Sequence, residues 1–263
     1  MPLDLDLALA TARRAVEAAS AASLAHFRAG VRVEVKPDRT PVTAADRDAE
    51  AAVVATLRAA FPGHAILGEE SGAHAGDAAT RWIVDPIDGT RGFTRGGSFW
   101  GPLVALEHEG TVVAGAMAMP ALGETYWAAR GRGAWMSRDG GEPAPLRVSG
   151  VSDWAESSFS FGEFRGVFAP EREGAMLALC RTAAQARCYG DLAGAAMVLA
   201  GRAEAWVEAG VQVWDIAPLR VLAEEAGGRF TDLAGKATAT SGNCVLSNGL
   251  VHDHVLRALA QRG

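Results

Sequence analysis

The sequence predicts a mixed α/β fold built in layers. Near the N-terminus, apolar residues recur at three- and four-residue steps. In the middle of the chain, short apolar segments are split by Gly- and Pro-bearing turns, as in consecutive hairpins. Helical and strand patterns then alternate to the C-terminus. Of 263 residues, 49% are hydrophobic and 21% charged, an ordinary globular balance. A chain of this length buries a sizeable core, as one large domain or two closely joined halves.

The elements follow in order. Leu5, Leu9, Ala12, Val16, Ala19 and Leu24 mark an amphipathic helix over 4–29, closed by Gly30. VRVEV (31–35) alternates like a strand, and KPDRTPVTAAD is turn-rich. A second helix starts at Thr43 and runs to about Ala60, where Phe61-Pro62-Gly63 stops it. AILGEES reads as a short buried strand ending in acids, and RWIVD (81–85) as another. PLVALEHEG, TVVAGAMAMP and ETYWAARGRGAWM form hairpin strands, split at His108–Gly110 and Pro120–Gly123. Ser137–Pro145 is a linker or long turn. SSFSFGE is then a strand, Pro170–Ala183 a helix, Asp191–Gly201 a small-residue helix and AEAWVEAG a strand. Trp214–Ala226 is a helix, RFTDLAG and CVLSN are strands, and His252–Ala260 is a surface helix.

Charge and composition exclude several roles. The formal net charge is -6 and no basic patch stands out, so nucleic acid is not an expected partner. An acidic protein that handles anions needs local devices, such as metal ions or exposed backbone N–H groups. Cys180, Cys188 and Cys244 form no CxxC pair, and so sparse a count suits a reducing cytoplasm. Asp4 and Asp6 stand where a signal peptide carries positive charge. No apolar run reaches the roughly 20 residues of a membrane span. The expectation is a soluble, cytoplasmic protein.

Acids carry the chemistry. In TRWIVDPIDGTRGF, a buried strand delivers Asp85, Pro86 forces a turn, and Asp88-Gly89-Thr90 continues it. Two carboxylates three residues apart on a rigid turn can converge on one point, as hard divalent cations require. Gly89 permits close backbone approach, and Thr90 offers a hydroxyl and an N–H. Glu69 ends another apolar run in GEES, and Asp215 lies in VQVWDIAPL at the opening of a helix. Each has a plainer reading: a strand-end turn, a solvated loop acid, a helix N-cap. Together, four acids at the ends of apolar segments would repel one another unless cations held them. The six histidines show no HExxH spacing.

With these residues in hand, the chain resembles the inositol monophosphatase-like metal-dependent phosphatases. PVTAADRDAE, AILGEES, WIVDPIDGTRGF, GDLAGAAMVLAGRAEAWVE and VWDIAPLRVLAEEAGG carry the resemblance over nearly the whole length. It implies an αβαβα sandwich in one compact unit. An N-terminal half, 1–138, would hold most metal ligands, and a C-terminal half, 139–263, would bring Asp215 and the substrate side. It implies a Mg²⁺-dependent phosphomonoesterase with two to three ions. Glu69, Asp85 and the Ile87 carbonyl would hold one ion, Asp85, Asp88 and Asp215 a second, and a third would lean on Glu69 through water. Thr90 paired with Asp46 would orient or activate the attacking water, Glu69 would complete the catalytic set, and the Gly89 and Thr90 N–H groups would face the phosphate. Lithium sensitivity and a homodimer also follow from the resemblance.

For the leaving alcohol, Asp191 after Gly190 and Glu208 in WVEAG add two acids beside the metal site. Such a pair suits a cationic leaving group. FRAGVRVEVKPDRTPVTAADR, RGFTRGGSFWGPLVAL and YGDLAGA resemble the histidinol-phosphatase branch of the family, and Arg187 resembles its arginine near the substrate or the dimer contact. For Asp191 a helix N-cap is the plainer reading. The alternatives are an inositol-1-monophosphatase, a broad sugar-phosphate phosphatase, and a non-catalytic metal-dependent binding module.

Overall fold

The computed structural model describes residues 3–29, 33–35 and 41–261, the side chains of residues 33–35, 41, 42, 78 and 191 excepted. The expected helix stop at Gly30, the first two residues of the strand over 31–35 and the loop 36–40 lie outside the described residues. Helix α1 (Leu5–Ala29) buries Ala8, Thr11, Ala12, Ala15, Val16, Ala19 and Ser23. Its contact stripe is therefore smaller than the leucine spacing predicts; Leu5, Leu9 and Leu24 pack only at the margin. β1 (Val33–Val35) pairs with β2 (Pro41–Thr43). α2 (Ala44–Ala60) opens with a capping box, in which the Thr43 hydroxyl accepts from Ala45 N–H and Asp46 accepts from Thr43 N–H at 2.7 Å.

The strands β3 (His64–Gly68), β4 (Gly72–His74) and β5 (Asp77–Asp88) lead to a single-turn helix α3 (Thr90–Phe93). β6 (Gly101–His108), β7 (Thr111–Met119), β8 (Glu124–Ala129), β9 (Ala134–Arg138) and β10 (Ala144–Pro145) complete the first half. Then come β11 (Ser158–Phe161), α4 (Phe164–Val167), α5 (Glu173–Thr182), β12 (Gln185–Arg187), α6 (Asp191–Leu199) and β13 (Ala205–Ala209). α7 (Val213–Glu225), β14 (Arg229–Thr231), β15 (Asn243–Ser247) and α8 (His252–Ala260) end the chain.

These elements stack in five layers. An eight-stranded sheet runs β10-β9-β8-β7-β6-β5-β3-β4, and a five-stranded sheet runs β12-β11-β13-β15-β14. α1 and α2 cover one face of the large sheet, packing on Trp82, Val84, Val104 and Leu106. α6 and α7 fill the space between the sheets, against Ile83, Leu103 and Met117 on one side and Trp206, Phe230 and Leu246 on the other. α5 and α8 close the far face of the small sheet on Val207 and Val245. The order is the expected αβαβα sandwich. Strand alternation has a direct consequence for the acids. Trp82 and Val84 face α1 and α2 while Ile83 faces α7, so the next odd position, Asp85, belongs to the α7 side. α7 fits closely: a Cβ on Gly115 would lie 2.9 Å from Pro218 Cβ. Among the described residues no helix is long and apolar enough to cross a membrane.

Several sequence expectations are corrected. Pro86 forces no turn; β5 continues to Asp88 and takes up the proline as a bulge between Asp85 and Asp88. Of the two readings of Ser137–Pro145, the long turn holds and the linker does not, because Ala144 and Pro145 fold back onto Met136 and Trp135. β4, α3, α4 and β12 are too short to leave a periodic signal. Asp191 is not an N-cap, since Gly190, at φ 77°, takes that position and Asp191 is the first helical residue. Asp215 is likewise not the N-cap of its helix, which starts from Gln212.

α8 is not simply a surface helix, because His252 is fully buried. Thr231 spends its hydroxyl proton on Asp232 O, so its oxygen accepts from Nε2–H at 2.9 Å. Nδ1 then accepts from the Ser247 hydroxyl at 2.8 Å. This arrangement fits a neutral ring, and burial lowers the imidazole from 6.5 to about 4. The unfolded chain takes up this proton first on acidification. Stability is therefore full above the unfolded value near 6.5 and is lost as pH falls toward about 4. Urea midpoints followed from pH 7 to pH 4 should fall in the wild type and fall less steeply in His252→Gln; parallel curves would contradict the assignment.

Candidate metal centre

β5 carries two acids and α7 a third. Asp85 is 1% exposed at the strand bulge, where its Oδ1 accepts from Ile87 N–H at 2.9 Å. That bond fixes the bulge and aims the carboxylate. Asp88 ends the strand, and Gly89, at φ 78°, turns the chain into α3. A left-handed residue is required there, and only glycine adopts it without cost. Asp215 stands at the third position of α7, where its Oδ2 accepts from Gln212 N–H at 2.7 Å. The Gln212 side chain returns the bond, closing a capping box. The helix end thus holds one carboxylate oxygen and leaves the other for the cluster.

Oxygens of Asp85, Asp88 and Asp215 lie within 4.8 Å of one another. Burial first, then the charges of Glu69, Asp215 and Asp88, push the Asp85 carboxyl well above the usual carboxylate range. Burial also raises Asp215, against the lowering donation from Gln212. Glu69 is thereby placed beside Asp85, although the tight trio does not include it. Three hard oxygen donors, one of them fully buried and its ionised form disfavoured by the others, are a donor set that a divalent cation of the Mg²⁺ type fits.

The remaining expected residues divide. Thr90 Oγ1 lies 2.9 Å from Ile87 O and 3.5 Å from Asp46 Oδ1. Its single proton therefore goes to the Ile87 carbonyl here, and the contact with Asp46 is long. Asp46 is 1% exposed, with Oδ2 accepting from both the N–H and the hydroxyl of Thr43. Glu208 does reach the site. It lines a cavity of about 60 Å³ with Asp88, Asp215, Glu163 and Trp206. Its Oε1 already accepts from Glu163 N–H at 3.1 Å and Ala209 N–H at 2.9 Å. Arg187 is exposed, bonds the neighbouring Ala186 carbonyl, and does not line this cavity. The side chain of Asp191 lies outside the described residues. Sequence reasoning missed Glu163 and Trp206 in the cavity wall, and Glu50 behind the Glu69 loop. For Glu50 a signal existed: it stands four residues after Asp46, on the same helical face.

Comparison with known proteins bears on what such a site does. Residues 4–263 match the model of the inositol monophosphatase family. A histidinol-phosphatase of Mycobacterium tuberculosis is 43% identical over 97% of both chains. One of Streptomyces coelicolor is 39% identical over 94% of both. The solved IMPase of Thermotoga maritima superposes with a TM-score of 0.81 at 32% identity, covering 97% of this chain and 96% of that one. Fold, acid cluster and relatives define a phosphoric monoester hydrolase of a metal-dependent type. The chain belongs to the inositol monophosphatase family.

The cluster makes a prediction about the protein without substrate. Asp85→Asn keeps the oxygen that accepts from Ile87 N–H and removes the most strongly repelled charge. The metal-free variant should melt higher than metal-free wild type, by about 2–4 °C for each kcal/mol relieved. The stabilisation that Mg²⁺ gives the wild type should vanish in it. Thermal melts with and without Mg²⁺ check both, and a Mg²⁺ shift retained in full would count against Asp85 as a ligand.

Proposed function

We propose that the chain is a Mg²⁺-dependent histidinol-phosphate phosphatase. The observation that carries this reading is the convergence of Asp85, Asp88 and Asp215 on one point beside Glu69. The substrate is supported by two relatives named as histidinol-phosphatases at 43% and 39% identity. It is also supported by the acids Glu163 and Glu208 in the cavity wall, which suit the ammonium and imidazole of histidinol.

Glu69, Asp85 and the Ile87 carbonyl would hold one ion, Asp85, Asp88 and Asp215 a second, with Glu69 available to a third. Bound there, Mg²⁺ would neutralise the phosphate, acidify water and stabilise the departing alkoxide. The chain's own groups do the rest. Asp46 stands behind Thr90 as a buried acceptor, and a small turn of the Thr90 hydroxyl from Ile87 O toward Asp46 would release that carbonyl and aim the hydroxyl's lone pairs at water. Gly89 and Thr90 present backbone N–H groups to the phosphate. Asp88 and Asp215, at the rim of the substrate cavity, bring the ester against the ions. Glu208 shapes the alcohol side by fixing Glu163, and Asp191, the first residue of α6, would meet the cationic end of the substrate. The two halves, 1–138 and 139–263, act as one unit because one core cluster draws on both.

One assay tests the substrate. Histidinol phosphate, myo-inositol 1-phosphate and glycerol 2-phosphate are compared with Mg²⁺, with excess chelator and with millimolar Li⁺. Histidinol phosphate should be preferred, chelator should abolish turnover and Li⁺ should inhibit. Asp191→Asn should lower kcat/KM for histidinol phosphate by roughly ten- to a hundredfold, the loss of one charge-assisted hydrogen bond, and leave glycerol 2-phosphate unchanged. Outright preference for inositol phosphate would replace the substrate assignment, and turnover in excess chelator would remove the metal.

We infer a homodimer as well. Phe99 and Leu122 are large, exposed and apolar, and both line a groove with Met119, Tyr189 and Met197. Analytical ultracentrifugation should give twice the chain mass, and Phe99→Glu should shift it toward monomer. A cytoplasmic setting is in keeping with the free thiols of Cys180, Cys188 and Cys244.

A further inference from the structure

Glu50 is a buried carboxylate that the mechanism above does not use. It sits on α2 one turn beyond Asp46 and is 3% exposed. Its Oε2 accepts from Glu70 N–H at 2.9 Å, and its Oε1 accepts from Ser71 N–H at 2.8 Å. From the other side Gly68 presses on it, since a Cβ there would lie 2.7 Å from the carboxylate. Glu69 lies between these contacts, and its own N–H donates to Val84 O at 3.1 Å, on the strand that delivers Asp85.

The backbone at Glu69 is therefore clamped twice. One bond ties it to β5, and the next two N–H groups are gathered by a single carboxylate from α2. Without Glu50, the three-residue turn between β3 and β4 would be held only by the pairing of Gly68 with Gly72 and by the Glu69 bond to Val84. The direction of the Glu69 side chain would then be less closely set. We infer that Glu50 is a positioning residue that aims Glu69 at the acid cluster and so tunes the affinity of the site for Mg²⁺. It touches neither substrate nor ion and acts only through Glu69. Asp46 and Glu50, four residues apart on α2, thereby give that helix two tasks. One carboxylate stands behind Thr90, and the other sets Glu69.

The inference rests on the metal-binding reading of Glu69, Asp85, Asp88 and Asp215, and its test separates the two. Mg²⁺ binding to substrate-free wild type, Glu50→Gln and Glu50→Ala is measured by titration calorimetry, and the half-saturating Mg²⁺ and kcat are measured alongside. Outer groups that orient metal ligands typically carry a 10–100-fold effect on affinity. Glu50→Ala should therefore bind Mg²⁺ at least about tenfold more weakly, while kcat at saturating Mg²⁺ stays near the wild-type value. Glu50→Gln, which keeps one acceptor oxygen, should fall between. A cavity of about 510 Å³ lined by Glu50, Glu70 and His74 lets water reach the freed N–H groups, so the variants should fold. Gly68→Ala, which crowds the same carboxylate from β3, provides an independent variant with the same expected weakening. Wild-type affinity in all three variants, even with a lowered Tm, would overturn the inference and leave Glu50 a fastening of the turn. If wild type itself binds no Mg²⁺, the metal reading falls before any variant is compared.

Discussion

Carboxylates crowded at a dry place repel one another, and the fold holds them there. Asp85 alone would favour water, and with Asp88, Asp215 and Glu69 around it burial becomes costlier still. What resists separation is rigid backbone. The bulge in β5 is closed by Asp85 accepting from Ile87 N–H, the start of α7 is closed by Asp215 and Gln212, and the start of α2 by Asp46 and Thr43. Asp85, Asp215 and Asp46 each satisfy a backbone donor in their own element or at its cap. The local structure that the sequence needs for capping and bulging is thus the same structure that aims the acids.

Layering explains why these pieces can be brought together at all. The central layer, α6 and α7, is covered by a sheet on each side, so side chains at a helix terminus there can meet strands of both sheets. Close approach is secured by small residues: Gly115 beneath Pro218, and Gly194 against Trp206, where a Cβ would lie within 2.3 Å of the indole. Gly115 sets the depth of α7, and with it the height of Asp215 above β5, while Gly194 seats α6 on β13.

Much of this was legible in the sequence, for identifiable reasons. α1, α2, α7 and the hairpins β6 to β8 are long enough to show a period, and the turn at Glu109–Gly110 announces itself. The acids were legible because each ends an apolar run. What was hidden has short range or long reach. β4, β12, α3 and α4 hold three or four residues each and leave no period. Pro86 read as a break because a bulge depends on the neighbouring strand, which a local pattern does not contain. His252 read as exposed because its partners, Thr231 and Ser247, come from β14 and β15. The partners of Glu50 are hidden from any local pattern, because the N–H groups it gathers lie beyond Phe61-Pro62-Gly63.

The contribution of α7 to the acid cluster also bears on the birth of the protein. On the ribosome, Asp85 and Asp88 emerge with the large sheet, while the helix bearing Asp215 follows much later, after β13. Until then one face of that sheet, with Ile83, Leu103 and Met117, has no cover. A nascent chain in this condition exposes apolar surface and lacks the third acid of the cluster. Arrival of α7 hides the surface and completes the trio in one event. The complete acid cluster is in this way withheld from truncated chains by the order of translation itself.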